Sequence, residues 1–213
     1  MTTLPVEEVD FSRLTLGEET KLNTYGTIIP VKYDQKNFNV CLGEADIKVL
    51  RNKFNDSKLN LVINNLSNAA CDFLYKLDSF FENTDVVISK KKRGIYSPAK
   101  KEDSPLYADF GDFSRIANVA DDGRLTVDVL CNYGGWVSAV PVINFSCLMF
   151  IGNKISLKKR CSGLLVSRFL SNESDGFLES LKSQMRENHP DDAECLKEQI
   201  GKFVVDTLDF DEQ

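Results

Sequence analysis

The feature that most constrains the fold is residues 136–151, a run with no charged side chain that lies between two turns. Asn-Tyr-Gly-Gly precedes it at residues 132–135, and Gly152-Asn153 follows it. A mostly apolar segment bounded by turn residues is typical of a strand that passes through a core. It is shorter than the roughly 20 apolar residues that a membrane-spanning helix needs. The run therefore predicts a sheet, and we expect no membrane segment.

Several other segments are rich in β-branched and aromatic residues and predict further strands. The first two of them would form a hairpin, and the last two would flank a turn at residues 158–160. We expect six to eight strands, whose order is unlike the regular strand and helix alternation of a parallel sheet. This order predicts an antiparallel barrel. The segments are residues 24–33, 38–42, 85–89, 125–130, 154–157 and 163–170.

Residues 57–82 carry apolar side chains at three- and four-residue steps, which predicts one long amphipathic helix packed on the sheet. Two acidic segments, residues 174–188 and 191–205, predict helices at the C-terminal end. The predicted fold class is therefore mainly β with helices (α+β). We expect a domain over residues 1–170, into which the long helix is inserted, and an acidic helical region with a short tail over residues 171–213.

The composition excludes several classes of enzyme. His189 is the only histidine, and none of the six cysteines forms a Cys-x-x-Cys pair, so histidine-dependent hydrolases and zinc sites are disfavoured. Motifs for nucleotide phosphates are absent from the sequence. The cysteines are scattered through apolar stretches, which indicates reduced core residues and an intracellular, reducing compartment, either cytoplasm or nucleus. We predict a protein that is not an enzyme and binds no cofactor or metal.

Charge is distributed unevenly along a chain whose formal net charge is −6. Residues 1–83, 84–168 and 169–213 have net charges of −3, +5 and −8. Within the middle third, residues 89–101 hold six cations and no acid, together with Gly94 and Pro98, which break helices. This pattern predicts a solvated loop that binds an anion. The six cations are Lys90, Lys91, Lys92, Arg93, Lys100 and Lys101.

A second basic cluster follows in the predicted turn, and the two clusters together would form a groove that tracks a phosphate backbone. The members of the second cluster are Lys158, Lys159 and Arg160, and we add the isolated cations Arg124 and Lys32 to the site. Six tyrosine and tryptophan residues lie in or beside turns and strands, and such rings stack on the unpaired bases of a single strand. They are Tyr25, Tyr33, Tyr96, Tyr107, Tyr133 and Trp136, of which we assign Tyr33, Tyr96, Tyr133 and Trp136 to the site.

In the order of its elements the chain resembles the replication single-stranded DNA-binding proteins of podophages and of some large DNA viruses. The resemblance is carried by residues 25–42, 59–81, 89–101 and 123–151, and it rests on layout. It implies an oligonucleotide-binding (OB) barrel that binds single-stranded DNA without sequence preference, with RNA as an open alternative. It also implies a viral protein of DNA replication, recombination or repair, at the site of viral DNA replication. We expect a homo-oligomer, most simply a dimer.

In that family an acidic tail with an aromatic residue near its end occupies the DNA groove or recruits replication enzymes. The last eight residues here are similar, with four acids, no base and one phenylalanine. The resemblance therefore implies that replication proteins bind the tail. The tail residues of this prediction are Asp209, Phe210, Asp211 and Glu212.

Three alternatives stay open. A metal-dependent nuclease would use the carboxylates of Asp46, Asp121 and Asp122 together with the ammonium of Lys48. A viral structural protein with a jelly-roll barrel would account for the strands but would leave the basic segment without a purpose. The basic segment is also compatible with a solvated loop that binds nothing.

Overall fold

The computed structural model describes residues 3–23, 26–52, 55–91, 95–111, 114–118 and 125–170, and over them the protein is mainly β with few helices. The strands are β1 (Thr3–Pro5), β2 (Leu14–Leu16), β3 (Thr20–Asn23), β4 (Gly26–Tyr33), β5 (Lys36–Asn37), β6 (Asn39–Cys41), β7 (Ala45–Asn52), β8 (Asn55–Asn64), β9 (Ile95–Ser97), β10 (Leu106–Phe110), β11 (Arg115–Asn118), β12 (Trp136–Ile151) and β13 (Lys154–Leu170). The helices are α1 (Asn68–Glu82), α2 (Asp85–Lys91), α3 (Val127–Tyr133) and the 3-10 turns Val6–Glu8 and Phe11–Arg13.

A long hairpin formed by β12 and β13 runs through the sheet. The two strands pair antiparallel from Trp136 and Leu170 to Ile151 and Lys154, with three register shifts. A two-residue turn joins them, and Gly152 adopts a φ of +59° there, which favours glycine. The predicted strand over residues 136–151 is confirmed.

The prediction of a turn at residues 158–160 is wrong, because β13 continues through these residues without a break. Their backbone is hydrogen-bonded to β12, where Lys158, Lys159 and Arg160 lie opposite Cys147, Phe145 and Asn144. Charged side chains do not require a turn when successive residues point to opposite faces of a strand. The count of six to eight strands is also too low, since thirteen lie in the part of the chain that the structure describes.

Five strands are joined by a closed path of pairings, which we call the five-stranded ring. β12 pairs with β7, β7 with β8, and β8 with β10, all antiparallel. β10 then pairs with β13 in parallel, and β13 returns to β12. The side of the ring that faces the core carries residues that are fully or almost fully buried. Examples are Ile47, Leu61, Ile63, Leu106 and Leu157.

The remaining strands extend the sheet from the long hairpin. Along one edge of β12, β7 is followed by β6 and then by β4. β1 pairs with β6, and the strands β2, β3 and β5 pair with β4. Along β13, the short strands β9 and β11 pair in parallel. The predicted pairing of residues 24–33 with residues 38–42 is wrong, because β4 forms a tighter hairpin with β5 around Asp34-Gln35, and β6 pairs with β12 instead.

The predicted helix over residues 57–82 is wrong in its first part. Residues 55–64 form β8, in which Leu61 and Ile63 alternate with outward residues, and the helix α1 begins only at Asn68. Ser67 caps α1, since its hydroxyl accepts a hydrogen bond from the Ala70 N–H at 3.2 Å. Apolar residues at 59, 61 and 63 fit a period of two, and the helical pattern holds only after the cap.

Two predicted strands are helices. Residues 85–89 lie in α2, and residues 127–130 lie in α3. Thr126 caps α3 through a hydrogen bond from the Val129 N–H at 3.3 Å, and Gly134 ends it in the left-handed conformation with a φ of +64°. These local capping bonds outweigh the strand preference of the valines.

The main apolar cluster runs from Leu4 to Phe169 and includes the inward residues Phe73, Leu74 and Leu77 of α1. The five cysteines that the structure describes are free thiols, and Cys161 is fully buried. None of the described helices is long and apolar enough to cross a bilayer. The predicted acidic region, residues 171–213, lies outside the described residues.

Candidate nucleic-acid interface

The outer side of the five-stranded ring carries a row of side chains that crosses four strands. Tyr107 on β10 lies opposite Val62 on β8, and Val62 lies opposite Lys48 on β7. The next residue in the row is Trp136 at the start of β12, and the Lys48 Nζ lies 6.0 Å from the centre of its indole ring. Tyr107 is 52 % exposed. The row thus ends in an aromatic ring on each side, with Lys48 and Val62 between the two rings.

A second row lies two residues further along the same strands, because side chains alternate between the faces of a sheet. In it Leu50, Asn60, Asp109 and Arg160 are successive cross-strand neighbours on β7, β8, β10 and β13. The Lys158 ammonium donates a hydrogen bond to the Asp109 carboxylate. We call the two rows, together with Lys158 and the exposed Lys58 on β8, the outer face. It holds four cations (Lys48, Lys58, Lys158 and Arg160) and one carboxylate, that of Asp109.

A cavity of about 300 Å³ opens on this face between β8, β10 and the long hairpin. Tyr107, Asn60 and Asp109 form one side, and Met149, Ser156 and Lys158 form the other. Val62, close to this cavity, is 5 % exposed but is not part of the main apolar cluster.

The neighbouring Lys159 also borders this cavity, but its ammonium belongs to a buried polar network. Its Nζ donates to the Ala99 carbonyl at 2.8 Å. Burial lowers the pKa of the Lys159 ammonium to about 8, while the carboxylates of Asp78 and Asp109 act in the opposite direction. This lysine is committed to an internal contact, so we leave it out of the proposed interface.

Asp78, on α1, is the centre of that network and is 7 % exposed. Its carboxylate accepts hydrogen bonds from the Tyr96 hydroxyl at 2.8 Å, from the Ala99 N–H at 2.7 Å and from the Lys100 N–H at 3.3 Å. Burial raises the pKa of Asp78, and these donors act against that shift. Burial also raises the pKa of the Tyr96 phenol, and the charge of Asp78 adds to the effect.

The predicted loop over residues 89–101 is therefore not one solvated loop. Residues 85–91 are helical, Tyr96 lies in β9, and the backbone of residues 99–100 is held by Asp78. The Lys100 ammonium donates to the carbonyls of Lys101 and Ser104 at 2.7 and 2.6 Å, whereas Lys101 is exposed. Tyr96 is half-buried with its hydroxyl bound, which leaves it unsuited to stacking on a base.

The other predicted residues are divided. Trp136, Lys158 and Arg160 lie on the outer face. Tyr33 is 5 % exposed, stacked on Phe38 at 5.7 Å, and covered by the Arg13 guanidinium at 4.8 Å. Lys32 beside it donates to the Asn37 side chain at 3.1 Å on β4 and β5, outside the five-stranded ring.

Tyr133 ends α3, and its ring meets that of Phe169 edge-on at 4.9 Å, with its hydroxyl donating to the Leu170 carbonyl. It fastens the helix to the end of the long hairpin, which is a structural contact. The side chains of Lys90 and Lys91 lie outside the described residues, as do Lys92, Arg93 and Arg124. The tail residues Asp209, Phe210, Asp211 and Glu212 lie outside them as well.

Three outer-face residues were not assigned to the predicted nucleic-acid site: Tyr107 was named only among the aromatic residues near turns and strands, Lys48 only for the nuclease alternative, and Lys58 for neither. Tyr107 carried a signal, because in residues 106–110 it alternates with Leu106, Ala108 and Phe110, all of which are buried. A period of two around an outward tyrosine indicates an exposed ring on a strand. The two lysines carried no such signal, since only the register of β7 and β8 brings them beside the aromatics.

The carboxylates considered for a nuclease are not assembled in the described part of the chain. Asp46 accepts a hydrogen bond from the Asn65 side-chain amide, and Asp121-Asp122 lies outside the described residues. Among the residues that are described, no group of three or more histidine, cysteine, aspartate or glutamate side chains is placed to hold a metal ion.

Comparison with known proteins gives no match to a protein-family model, a curated protein or a solved structure. The site must therefore be interpreted from its own geometry.

Proposed function

We propose that this protein binds single-stranded nucleic acid, DNA in the first place, across the outer face, without catalysing a reaction. The observation that carries the proposal is the row of Trp136, Lys48, Val62 and Tyr107. Bases of a single strand stack on aromatic side chains, and each stacked base contributes about 1 to 3 kcal/mol without requiring a particular sequence. A lysine between two rings is placed to contact the phosphates that join the stacked bases.

The strand order of the five-stranded ring supports an OB-like barrel. If β7, β8, β10, β12 and β13 are counted as first to fifth, the first three are successive antiparallel neighbours. The third then pairs in parallel with the fifth, and the fourth pairs with both the fifth and the first. Helix α3 precedes the fourth strand, as a helix does in this fold. OB barrels bind oligonucleotides on the face of their second and third strands, here β8 and β10.

The loops that flank this face in an OB barrel are those between strands one and two and between strands four and five. Here they are the β7–β8 loop, whose residues 53–54 lie outside the described part, and the exposed turn Gly152-Asn153. Lys154 follows that turn and is exposed, and Lys58 lies near the other loop. The cations at both margins fit a single-stranded nucleic acid that crosses the barrel from one loop to the other.

We further propose that the protein acts in DNA replication, recombination or repair, the processes in which single strands are exposed and the role that the sequence resemblance implies. In that role the acidic tail would be the segment that replication enzymes contact, and the working form would be a dimer. RNA remains the alternative ligand, because stacking and phosphate contacts are common to both nucleic acids.

The proposal is tested by fluorescence anisotropy with a labelled oligo-dT at two salt concentrations. We expect binding at low salt that weakens steeply as salt is added, since each neutralised phosphate of a single strand contributes about −0.7 to the log–log slope. A duplex of the same length should compete poorly, and an oligo-U of equal length compares RNA with DNA. Failure of oligo-dT to bind at low salt would reject the proposal.

A further inference from the structure

The carboxylate of Asp109 is out of place on a surface that only binds phosphates. It lies in the centre of the outer face, with Asn60 on one side and Arg160 on the other. An acidic group repels a phosphate backbone, so phosphate contacts do not account for it, and the ion pair with Lys158 is one of its roles. It is 42 % exposed although it is paired with Lys158, which leaves acceptor positions open to a ligand.

The cavity on the outer face brings Asp109 together with the groups that a nucleobase requires. Tyr107 lies two residues from Asp109 on the same face of β10, which is a spacing of about 7 Å along the strand. Asn60 and Lys158 supply an amide and an ammonium, and Met149 supplies an apolar contact. A volume of about 300 Å³ is at the small end of ligand pockets and suits one base.

The donor and acceptor pattern distinguishes among the bases. A carboxylate only accepts hydrogen bonds, and an ammonium only donates them. Guanine presents two adjacent donors, N1–H and the 2-amino group, next to the acceptor O6. Adenine, cytosine and thymine each present one donor on that edge, beside an acceptor that a carboxylate would repel. Asp109 with Lys158 is therefore complementary to guanine above the other three bases.

We propose that this cavity is a guanine subsite, in which Asp109 accepts from N1–H and the 2-amino group, Lys158 donates to O6, and the base stacks on Tyr107. The proposal rests on single-strand binding by the outer face and adds a base preference to it. The remaining nucleotides are held by stacking and phosphate contacts, which do not discriminate. The protein would then bind all single strands but favour a register that places guanine in the cavity.

Four labelled oligo-dT strands of about eight nucleotides, with thymine, guanine, adenine or cytosine at one central position, test the proposal. We expect the guanine strand to bind about tenfold more tightly than the thymine strand, which is within the discrimination of a good bidentate contact. Inosine at that position lacks the 2-amino group and should lose most of the gain, whereas 7-deazaguanine keeps the same edge and should retain it.

The variant Asp109→Asn should reduce the guanine preference to less than about twofold, because an amide offers one acceptor instead of two. The control Lys58→Ala should weaken all four strands by the same factor and leave their ratios unchanged, since it removes only a phosphate contact. Equal affinities of wild-type protein for the four strands, or tightest binding to another base, would overturn the guanine subsite alone. Absence of binding to every strand would instead reject the proposed function.

Discussion

The outer face and the buried network around Asp78 each combine lysines, a carboxylate and a tyrosine, but they direct these groups differently. On the outer face the Tyr107 ring is half-exposed, and the Asp109 carboxylate that pairs with Lys158 also faces solvent. In the network Tyr96, Ala99 and Lys100 donate hydrogen bonds to Asp78, which is almost fully buried. The first arrangement retains capacity for a ligand, and the second is satisfied within the protein.

Two successive residues of β13 show how this difference arises. Lys158 and Lys159 have the same chemistry, yet the alternation of the strand sends one to the outer face and the other to the buried network. A basic cluster in a strand is thus divided between surface and interior. Charge density along the sequence therefore overstates the surface available to an anion.

The largest expected effect is on the network. Replacing Asp78 with alanine leaves buried donors without an acceptor and removes one of the two carboxylates that act on Lys159, so we expect the free energy of unfolding to fall by about 3 to 5 kcal/mol. Urea unfolding measures this loss, and Asp72→Ala on the exposed side of α1 is the matched control. A loss below 1 kcal/mol would show that the network does not hold residues 96–104.

On the outer face the largest effect should come from Tyr107. Replacing it with alanine removes one stacking platform, so the affinity for oligo-dT should fall by about 1 to 3 kcal/mol with little change in stability. Tyr75 on α1 is 44 % exposed and provides a control of similar exposure outside the outer face. If Tyr75→Ala weakens binding of oligo-dT as much as Tyr107→Ala does, the oligonucleotide does not lie on the outer face.

A pH titration separates Lys159 from the other lysines. Its pKa is about 8 in the folded protein and near the ordinary 10.5 when unfolded, so between these values the unfolded chain holds the proton that the native state has lost. Stability therefore rises with pH across this window. Relative to Lys159→Met, the wild-type protein should gain about 2 kcal/mol from pH 7.5 to 9.5 in urea unfolding. A constant difference between the two proteins would show that Lys159 is solvated.

The smallest effect belongs to single phosphate contacts. Lys58→Ala should reduce the magnitude of the log–log salt slope for oligo-dT by about 0.7, because one counterion-releasing contact is lost. Lys36→Ala, on the exposed strand β5 outside the five-stranded ring, should leave the slope unchanged. Equal slopes for wild type and Lys58→Ala would remove Lys58 from the interface.

The sequence was sufficient for the β-rich class and for the strand Trp136–Ile151, because a long apolar run between glycine turns has few other solutions. It was insufficient where short-range patterns compete. Alternating valines at 127 and 129 became helical after the Thr126 cap, and the apolar residues before Ser67 became a strand. In both cases a capping residue decides the boundary, and its effect appears only when the local hydrogen bonds are known.

The candidate site was harder to predict than the fold class. Trp136, Lys158 and Arg160 were chosen by residue type and lie on the outer face, whereas Tyr33 and Tyr96, also chosen by residue type, are held by internal contacts. What separates these groups is register. Lys48, Val62 and Tyr107 are distant in sequence and become neighbours only through the pairing of β7, β8 and β10.

The most direct test of the account is photocrosslinking of an oligo-dT that carries 5-iododeoxyuridine, followed by mass spectrometry of the crosslinked peptides. Iodouracil reacts with aromatic side chains on which it stacks. If single strands bind the outer face, the adducts will lie on Tyr107 or Trp136. Adducts confined to Tyr33, Tyr96 or Tyr75 would contradict the account, because these residues lie in the core, in the Asp78 network and on α1.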